Sequence, residues 1–191
     1  MFVIAEAGVN HNGSIELAEK LVRAAASTGA DAVKFQTFRS RNLVTENAPK
    51  AEYQKRLTQE ASQLRMLEKL ELPYEKHKEL LNLCEKLNIQ FLSTAFDSES
   101  LCFLSSVLSL PVLKVPSGEL TNGPLLLEYA KTGCDLIVST GMADLAEVRE
   151  ALGVLAFGMI DGVAPSIKKF SEAYESVSGR EKLREKVTLL H

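Results

Sequence analysis

The chain has 191 residues, a length that suits one domain with a sizeable core. Hydrophobic residues make up 46% and charged residues 25%, which excludes disordered and low-complexity classes. A net charge of -3 and the absence of Trp argue against nucleic acid as a partner. The three cysteines form no CxxC pair, so no disulfide framework is predicted. The apolar stretches are too short for a membrane span. We therefore expect a cytoplasmic protein.

Short β-branched runs predict six strands, and stretches with helical spacing separate them. The expected strands are residues 2–5, 32–35, 91–94, 112–115, 136–139 and 187–190. The expected caps are Ser14, Asp97 and the Asp144 and Glu147 box at helix starts, with Gly29 and Gly133 after helix ends. This alternating order implies a parallel sheet. Residues 39–72 and 159–185 depart from it, and we expect excursions there, not separate domains.

Polar residues come at the carboxyl ends of the predicted strands. Among them are Glu6, Gln36, Thr94, Ser117, Thr140 and His191. A (β/α)8 barrel builds its active site at that end of its strands, and open α/β sheets bind ligands there too. The barrel is favoured because no Gly-rich phosphate loop of either nucleotide-binding type is present. The predicted fold class is therefore α/β, of the (β/α)8 TIM-barrel type.

Two lysines lie inside otherwise apolar strands. Lys34, in DAVKFQT, and Lys114, in PVLKVPSGE, are costly to bury without an anionic partner. One interpretation pairs them with structural carboxylates such as Glu6 or Glu119, and the other gives them a phosphate or carboxylate ligand. Ser117 and the glycine after it favour the ligand, because a hydroxyl and an unhindered backbone N–H donate to phosphate oxygens.

Both internal histidines have plain structural interpretations. His11 follows the first predicted strand and is interpreted as a loop histidine. His77 lies in a charged predicted helix, and we expect it to be solvated. Neither is assigned a function on the sequence alone.

Seven runs follow one another in order over residues 2–155. They are IAEAGVNHNGS, ADAVKFQTF, AEYQK, ASQLRMLEKLEL, FLSTAFD, LKVPSGELTN and IVSTGMADLAEV. Together they resemble the sialic acid synthase family, which also makes legionaminic and pseudaminic acids. The resemblance implies a (β/α)8 barrel followed by a small antifreeze-like domain, in a domain-swapped homodimer. It also implies condensation of phosphoenolpyruvate with an N-acetylated mannosamine-type sugar by C–O cleavage, with manganese or magnesium.

The resemblance also implies roles for individual residues. Glu6 corresponds to the family's acidic residue beside the reacting carbons, where it would orient or deprotonate the water that attacks C2 of the enol phosphate. The implied phosphoenolpyruvate contacts are Lys34, Thr94, Lys114 and Ser117, and the implied contact near the sugar is Gln36. Ala95 departs from the proline of many family members, which we expect to alter loop stiffness more than chemistry.

By the same resemblance, the 191 residues correspond to the N-terminal portion of a synthase. We expect six βα units, with an atypical insertion at residues 156–185 and the sixth strand at residues 186–191. The family's metal-ligating histidines and its antifreeze-like domain are expected beyond His191. We therefore expect no metal in these residues and no turnover by them alone, and we expect their open strand edges to promote self-association.

Two other functions stay open at this point. The chain could be a non-catalytic phosphoenolpyruvate-binding or interaction module. Among barrel enzymes, Lys114 could instead be the nucleophile of a Schiff-base aldolase, because a strand lysine in a barrel can attack a carbonyl. Trapping with borohydride and pyruvate separates that reaction from synthase chemistry, which forms no imine.

Overall fold

The computed structural model describes residues 1–46, 48 and 62–191 and divides the chain into two compact units. The first unit is Met1–Ser100 and the second is Leu101–His191. The AEYQK run, residues 51–55, lies outside the described residues. No helix in the described part of the chain is long and apolar enough to cross a membrane.

The first unit is built on three parallel strands. Strand β2 (Ala32–Thr37) pairs with β1 (Ile4–Gly8) on one side and with β3 (Gln90–Ala95) on the other. Its helices are α1 (Ile15–Ser27), α2 (Ser40–Leu43), α3 (Gln63–Leu70), α4 (Tyr74–Lys86) and α5 (Ser98–Cys102), the last of which begins as the unit ends. Parallel pairing brings the carboxyl ends of the three strands to one edge.

One face of these strands is apolar and lies under α1 and α4. Phe35 of β2 is buried there, with its ring stacked 5.7 Å from that of Phe91 in β3. The two helices cover this face with buried residues at helical spacing: Ala18, Val22 and Ala25, then His77, Leu80 and Cys84. Because side chains alternate along a strand, the opposite face carries Lys34 and Gln36, and we call it the open face of the first unit.

The second unit repeats this plan. Strand β5 (Asp135–Ser139) pairs in parallel with β4 (Val112–Val115) and with β6 (Val187–Leu190). A π-helical turn (Phe103–Val107), a 3₁₀ turn (Ser117–Glu119) and helices α6 (Gly123–Lys131), α7 (Leu145–Met159), α8 (Ile167–Glu175) and α9 (Val177–Lys186) complete it. Its core strand residues, Leu113, Val115, Leu136 and Val138, are all nearly inaccessible to solvent. The helical spacing between the third and fourth predicted strands did not indicate that this turn is π-helical.

The expected excursion at residues 159–185 is mostly helical. Ser166 and Ser176 are the N-caps of helices α8 and α9, and their hydroxyls accept the capping N–H bonds. The ring of Phe170 in α8 meets that of Phe157 in α7 at 5.1 Å and nearly at a right angle. Gly153 lets the backbones approach, since an added Cβ would lie 2.8 Å from the Phe170 carbonyl oxygen. That this segment is atypical for its family stays a prediction.

The predicted strands are all present, but four of them have different bounds. The first differs most, because pairing runs from Ile4 to Gly8 while the apolar Phe2 and Val3 are half-exposed. The prediction from apolar content therefore placed that strand too early in the chain, because its pairing continues through the charged Glu6. The capping predictions are confirmed: Ser14, Asp97 and Asp144 accept capping bonds, and Gly29 and Gly133 have positive φ after α1 and α6.

Candidate functional site

Three polar side chains meet on the open face of the first unit. Glu6 and Lys34 are partners in the β1–β2 pairing, and Lys34 Nζ lies 2.8 Å from Glu6 Oε2. The same ammonium donates to Thr94 Oγ1 at 3.4 Å. The Lys34 side chain is 12% exposed whereas that of Glu6 is 53% exposed, so the carboxylate is the accessible end of the pair. Of the two partners predicted for Lys34, a structural carboxylate or an anionic ligand, the carboxylate is therefore present, at Glu6.

Gln36 lies on the same open face, one alternation further along β2 and level with Thr94. The β1 strand bulges beside it, since pairing shifts by one residue between Glu6 and Gly8. Gly8 has φ +56°, and a Cβ there would lie 3.1 Å from Glu6 Oε1 and 3.8 Å from Gln36 Nε2. The Glu6 carboxylate and the Gln36 amide therefore border one small space above Gly8.

This arrangement can bind an anion and position water. An ammonium has three N–H donors, and among the described residues Glu6 and Thr94 receive two of those of Lys34. The third can donate to a phosphate or carboxylate oxygen. The half-exposed Glu6 carboxylate can accept a proton from a bound water, and the adjacent amide of Gln36 can both donate and accept.

A buried polar network fixes the chain directly after β2 and β3. Asp97, 8% exposed, accepts the backbone N–H bonds of Arg39 and Ser100, both at 2.9 Å, and the Ser100 hydroxyl at 2.8 Å. The Arg39 guanidinium stacks 3.7 Å from the centroid of the Tyr74 ring. The carboxyl ends of β2 and β3, where Gln36 and Thr94 lie, are therefore joined by hydrogen bonds.

Glu71 extends this network from the end of α3. It accepts the Ser40 backbone N–H at 2.8 Å, the Ser40 hydroxyl at 2.7 Å and an Arg39 N–H at 3.0 Å. Burial alone would raise the pKa of Glu71, but these bonds outweigh it and hold the pKa below its ordinary value. The carboxylate therefore stays charged at neutral pH and keeps the start of α2 in place.

Two histidines are buried on the helix-covered face of the first unit. The expectation that His77 is solvated was wrong, because α4 turns it toward β2 and β3, where Nε2 lies 2.9 Å from Thr37 Oγ1. That hydroxyl lies 2.7 Å from Ser93 Oγ. Burial lowers the pKa of His77 to about 4. His11 is also buried, and burial lowers its pKa, so both imidazoles are neutral at pH 7.

In the second unit the two residues predicted to contact phosphoenolpyruvate lie in the last half of β4 and just after it. Lys114 is 6% exposed, and its Nζ donates to the Val115 carbonyl oxygen at 2.7 Å. Ser117 is exposed at the start of the 3₁₀ turn. Glu119, one of the carboxylates weighed as a lysine partner, accepts the Asn122 side-chain amide at 2.8 Å. This places a cationic strand residue and an exposed hydroxyl at the carboxyl end of one strand.

The loop after β5 closes on Ser117. Gly141 has φ +52°, and a Cβ there would lie 2.5 Å from Ser117 Cβ and 2.6 Å from its Oγ. The preceding Thr140 donates its hydroxyl to the Leu190 carbonyl oxygen at 3.1 Å, and that hydroxyl lies 3.4 Å from His191 Nδ1. The carboxyl ends of β4, β5 and β6 therefore carry polar groups, as the sequence predicted.

The divalent metal implied by the resemblance needs a cluster of ligands. Among residues 1–46, 48 and 62–191, no three His, Cys, Asp or Glu side chains come together in a way that could hold an ion. The described residues therefore do not fit a metal centre. The metal stays a prediction for the complete enzyme.

Sequence reasoning missed the parts of these sites that depend on backbone geometry. Gly8 and Gly141 lie within the quoted motifs without an assigned role. Each comes one or two residues after a polar residue, Glu6 or Thr140, which is the signal that could have marked it. Arg39 and Glu71 were likewise passed over, because residues so far apart in sequence give no local sign of pairing.

Solved structures share the fold of this chain. The N-acetylneuraminic acid synthetase of Leptospira borgpetersenii, crystallised with citrate, matches with a TM-score of 0.71 and 30% identity over 83% of this chain and 50% of that chain. The phospho-2-dehydro-3-deoxyheptonate aldolase (DAHP synthase) of Thermotoga maritima matches with a TM-score of 0.56 at 12% identity, over 83% of this chain and 38% of its own. The α/β fold class of TIM-barrel type is confirmed.

Sequence comparison then defines the family. A profile of the NeuB family matches residues 21–191, and the chain belongs to that family. The N,N'-diacetyllegionaminic acid synthase of Campylobacter jejuni is 53% identical over 80% of this chain and 46% of its own length. The Legionella pneumophila protein of the same name is 54% identical over 79% of this chain and 42% of its own. The chain thus spans a little under half the length of these curated relatives.

Proposed function

We propose that the protein expressed from the complete gene condenses phosphoenolpyruvate with an N-acetylated mannosamine-type sugar, giving a nonulosonic acid and phosphate. Membership of the NeuB family supports this, together with relatives named as N,N'-diacetyllegionaminic acid, pseudaminic acid and N-acetylneuraminate-9-phosphate synthases. The observation that carries the proposal is the Glu6–Lys34–Thr94 group, which joins a carboxylate, a cation and a hydroxyl on the open face of the first unit.

The sugar we propose carries two acetamido groups. The relatives that are more than 50% identical are named for a product with two N-acetyl groups. Phosphoenolpyruvate supplies three carbons and no nitrogen, so both N-acetyl groups of such a product come from the sugar. A sugar with one N-acetyl group, which would give a product such as N-acetylneuraminic acid, is the alternative.

Each predicted residue has a defined task in this reaction. Lys34, Thr94, Lys114 and Ser117 are the proposed contacts to phosphoenolpyruvate, each donating to an anionic oxygen. Neutralising the substrate's charge lets its C3 approach the sugar aldehyde carbon. Gln36 contacts the sugar.

The C2–C3 double bond of the enol phosphate supplies the electron pair for the new bond from C3 to the aldehyde carbon, and the aldehyde oxygen takes a proton. Glu6 accepts a proton from the water that adds to C2. The C2–O bond to phosphate then breaks, phosphate leaves with the bridging oxygen and takes the proton of the new C2 hydroxyl, and C2 becomes a ketone.

The test follows the bridging oxygen. Phosphoenolpyruvate labelled with ¹⁸O at that position is incubated with the protein, Mn²⁺ and a di-N-acetylated sugar, and phosphate is analysed by mass spectrometry. Sugar-dependent release of labelled phosphate is expected. Retention of the label in the sugar product contradicts C–O cleavage. A borohydride-trapped pyruvate adduct on Lys114 would instead support the Schiff-base aldolase, and binding without turnover would support the non-catalytic module.

The remaining properties are proposals of the same kind. We propose a cytoplasmic homodimer that uses manganese or magnesium and has no nucleic-acid or membrane partner. Gel filtration with light scattering tests the dimer. That the 191 residues alone are inactive and self-associate stays a prediction, which the same phosphate assay and light scattering on that chain will check.

A further inference from the structure

We propose that Gly141 is a positioning residue for the Ser117 hydroxyl. Because glycine has no side chain, position 141 leaves room for Ser117 in the place from which it binds phosphoenolpyruvate, and a larger residue there would lower the affinity. The inference rests on the proposed function, because it takes Ser117 as a contact to that substrate. It adds a residue whose effect is transmitted through Ser117 and which does not itself touch the substrate.

The first step is the space between the two residues. A Cβ at position 141 would lie 2.5 Å from Ser117 Cβ and 2.6 Å from its Oγ. Carbon atoms in contact are separated by about 3.5–4.0 Å, so the overlap is roughly 1 Å. Because Ser117 Cβ is attached directly to the backbone, a change of rotamer does not relieve this contact, and the chain at Ser117 has to move.

The second step is that the loop carrying Gly141 is anchored. The Thr140 backbone N–H and hydroxyl both donate to the Leu190 carbonyl oxygen, at 3.0 and 3.1 Å. The Ala143 N–H donates to the Thr140 carbonyl oxygen at 2.9 Å, and Asp144 then caps α7. The loop is therefore held on both sides of residue 141, and the displacement falls on Ser117.

The chain offers a matched control for backbone strain. Gly133, in the same unit, has φ +76° and no atom within 4 Å of the position that a Cβ would take. An alanine at either glycine adopts an unfavourable positive φ. The alanine at position 141 alone also presses on Ser117.

The experiment compares Gly141→Ala, Gly133→Ala, Ser117→Gly and the double variant Ser117→Gly/Gly141→Ala, each in the protein expressed from the complete gene. The dissociation constant of phosphoenolpyruvate is measured by calorimetry, and melting temperatures are recorded in parallel. Gly141→Ala should weaken binding about tenfold or more, since misplacement by about 1 Å is costly. Gly133→Ala should keep wild-type affinity within about twofold while losing roughly 2–4 °C.

The double variant separates positioning from a general structural role. If Gly141 acts through Ser117, adding Gly141→Ala to Ser117→Gly should cause no further loss of affinity, because the overlapping atoms are gone. Full additivity of the two losses overturns the inference. If Gly141→Ala alone does not fold, recovery of the fold in the double variant supports the inference, and an unfolded double variant overturns it.

Failure of this inference differs from failure of the proposed function. A parent protein that does not bind phosphoenolpyruvate contradicts the proposed function. A parent that binds it, with Gly141→Ala binding equally well, overturns the positioning role alone. Unchanged affinity in Ser117→Gly also overturns the positioning role, because Ser117 is then not a contact.

Discussion

The two units are built on similar strand plans but differ in what they bury. Of the ten buried polar or charged residues in the described chain, eight lie in the first unit. The second unit buries mainly leucine, alanine and valine between its strands and helices, with Lys114 and Thr140 as the charged or polar exceptions. Stability of the first unit therefore depends on buried charge and hydrogen bonding in addition to its apolar core, whereas that of the second depends mainly on apolar packing.

The same contrast extends to the candidate chemistry. The first unit holds an ion pair with an accessible carboxylate, which suits proton transfer. The second holds a buried lysine and an exposed hydroxyl, which suit binding of an anion. We therefore expect changes at Glu6 and His77 in the first unit to affect turnover and acid stability, and changes at Lys114 in the second to affect affinity.

The largest effect is expected from Glu6→Gln. A group that acts on the attacking water works mainly in the transition state, so kcat should fall on the order of a hundredfold with little change in KM. Phosphate release by the protein from the complete gene measures both constants. Glu181→Gln, which changes an exposed carboxylate on α9, is the control and should leave kcat unchanged. A rise in KM alone would assign Glu6 to substrate binding.

Asp97→Ala should lower the free energy of unfolding by about 2 kcal/mol, because several buried donors lose their acceptor. Asp144→Ala removes an exposed N-cap, that of α7 in the second unit. It should lower the free energy of unfolding by about 1 kcal/mol. Urea denaturation measures both variants. Equal losses would contradict the claim that the first unit depends more on its polar network.

Lys114→Met should weaken phosphoenolpyruvate binding about tenfold, which is about 1.4 kcal/mol. The physical reason is the loss of a cationic donor to the substrate's anionic oxygens. Calorimetry measures the affinity, and Lys168→Met, at a lysine side chain that is 86% exposed on α8, is the matched control. An unchanged dissociation constant for Lys114→Met would remove this lysine from the site.

The smallest effect is expected from acidification. The folded pKa of His77 is about 4, below the ordinary value near 6.5, so the unfolded chain binds this proton more readily. Stability from the neutral imidazole is complete above pH 6.5 and is lost as the pH falls toward 4. Between pH 7 and 5.5 the loss should be about 1 kcal/mol.

Urea titrations at several pH values check this dependence. Changing His77 to asparagine should flatten the pH dependence in this range, and changing the exposed His191 to asparagine should leave it as in the parent. A parent and a His77→Asn protein with the same pH slope would show that another group controls acid stability.

The strand and helix order was predictable because local patterns encode it. Alternation of apolar residues, capping side chains and glycines after helices all act within a few residues, and those predictions were confirmed. The burial of His77 was also available in the sequence, since it shares helical spacing with the buried Leu80 and Cys84. Its charged neighbours in α4 concealed that spacing.

The candidate site was predictable only in part. The cost of burying Lys34 led to Glu6 as one possible partner, and the two are paired. The β1 bulge and the approach of Gly141 to Ser117 depend on how separate strands align, which no single segment of sequence encodes. The substrate contacts assigned by resemblance stay predictions.

The bulge in β1 has a consequence for any experiment on Glu6. A strand with an extra residue at a fixed point does not slip along its neighbour without relocating that residue, so the bulge pins the register of β1 against β2. The position of Glu6 opposite Lys34 is therefore imposed by the backbone as well as by their opposite charges. A neutral side chain at position 6 should occupy the same place, so that a change in reaction rate can be separated from a change in architecture.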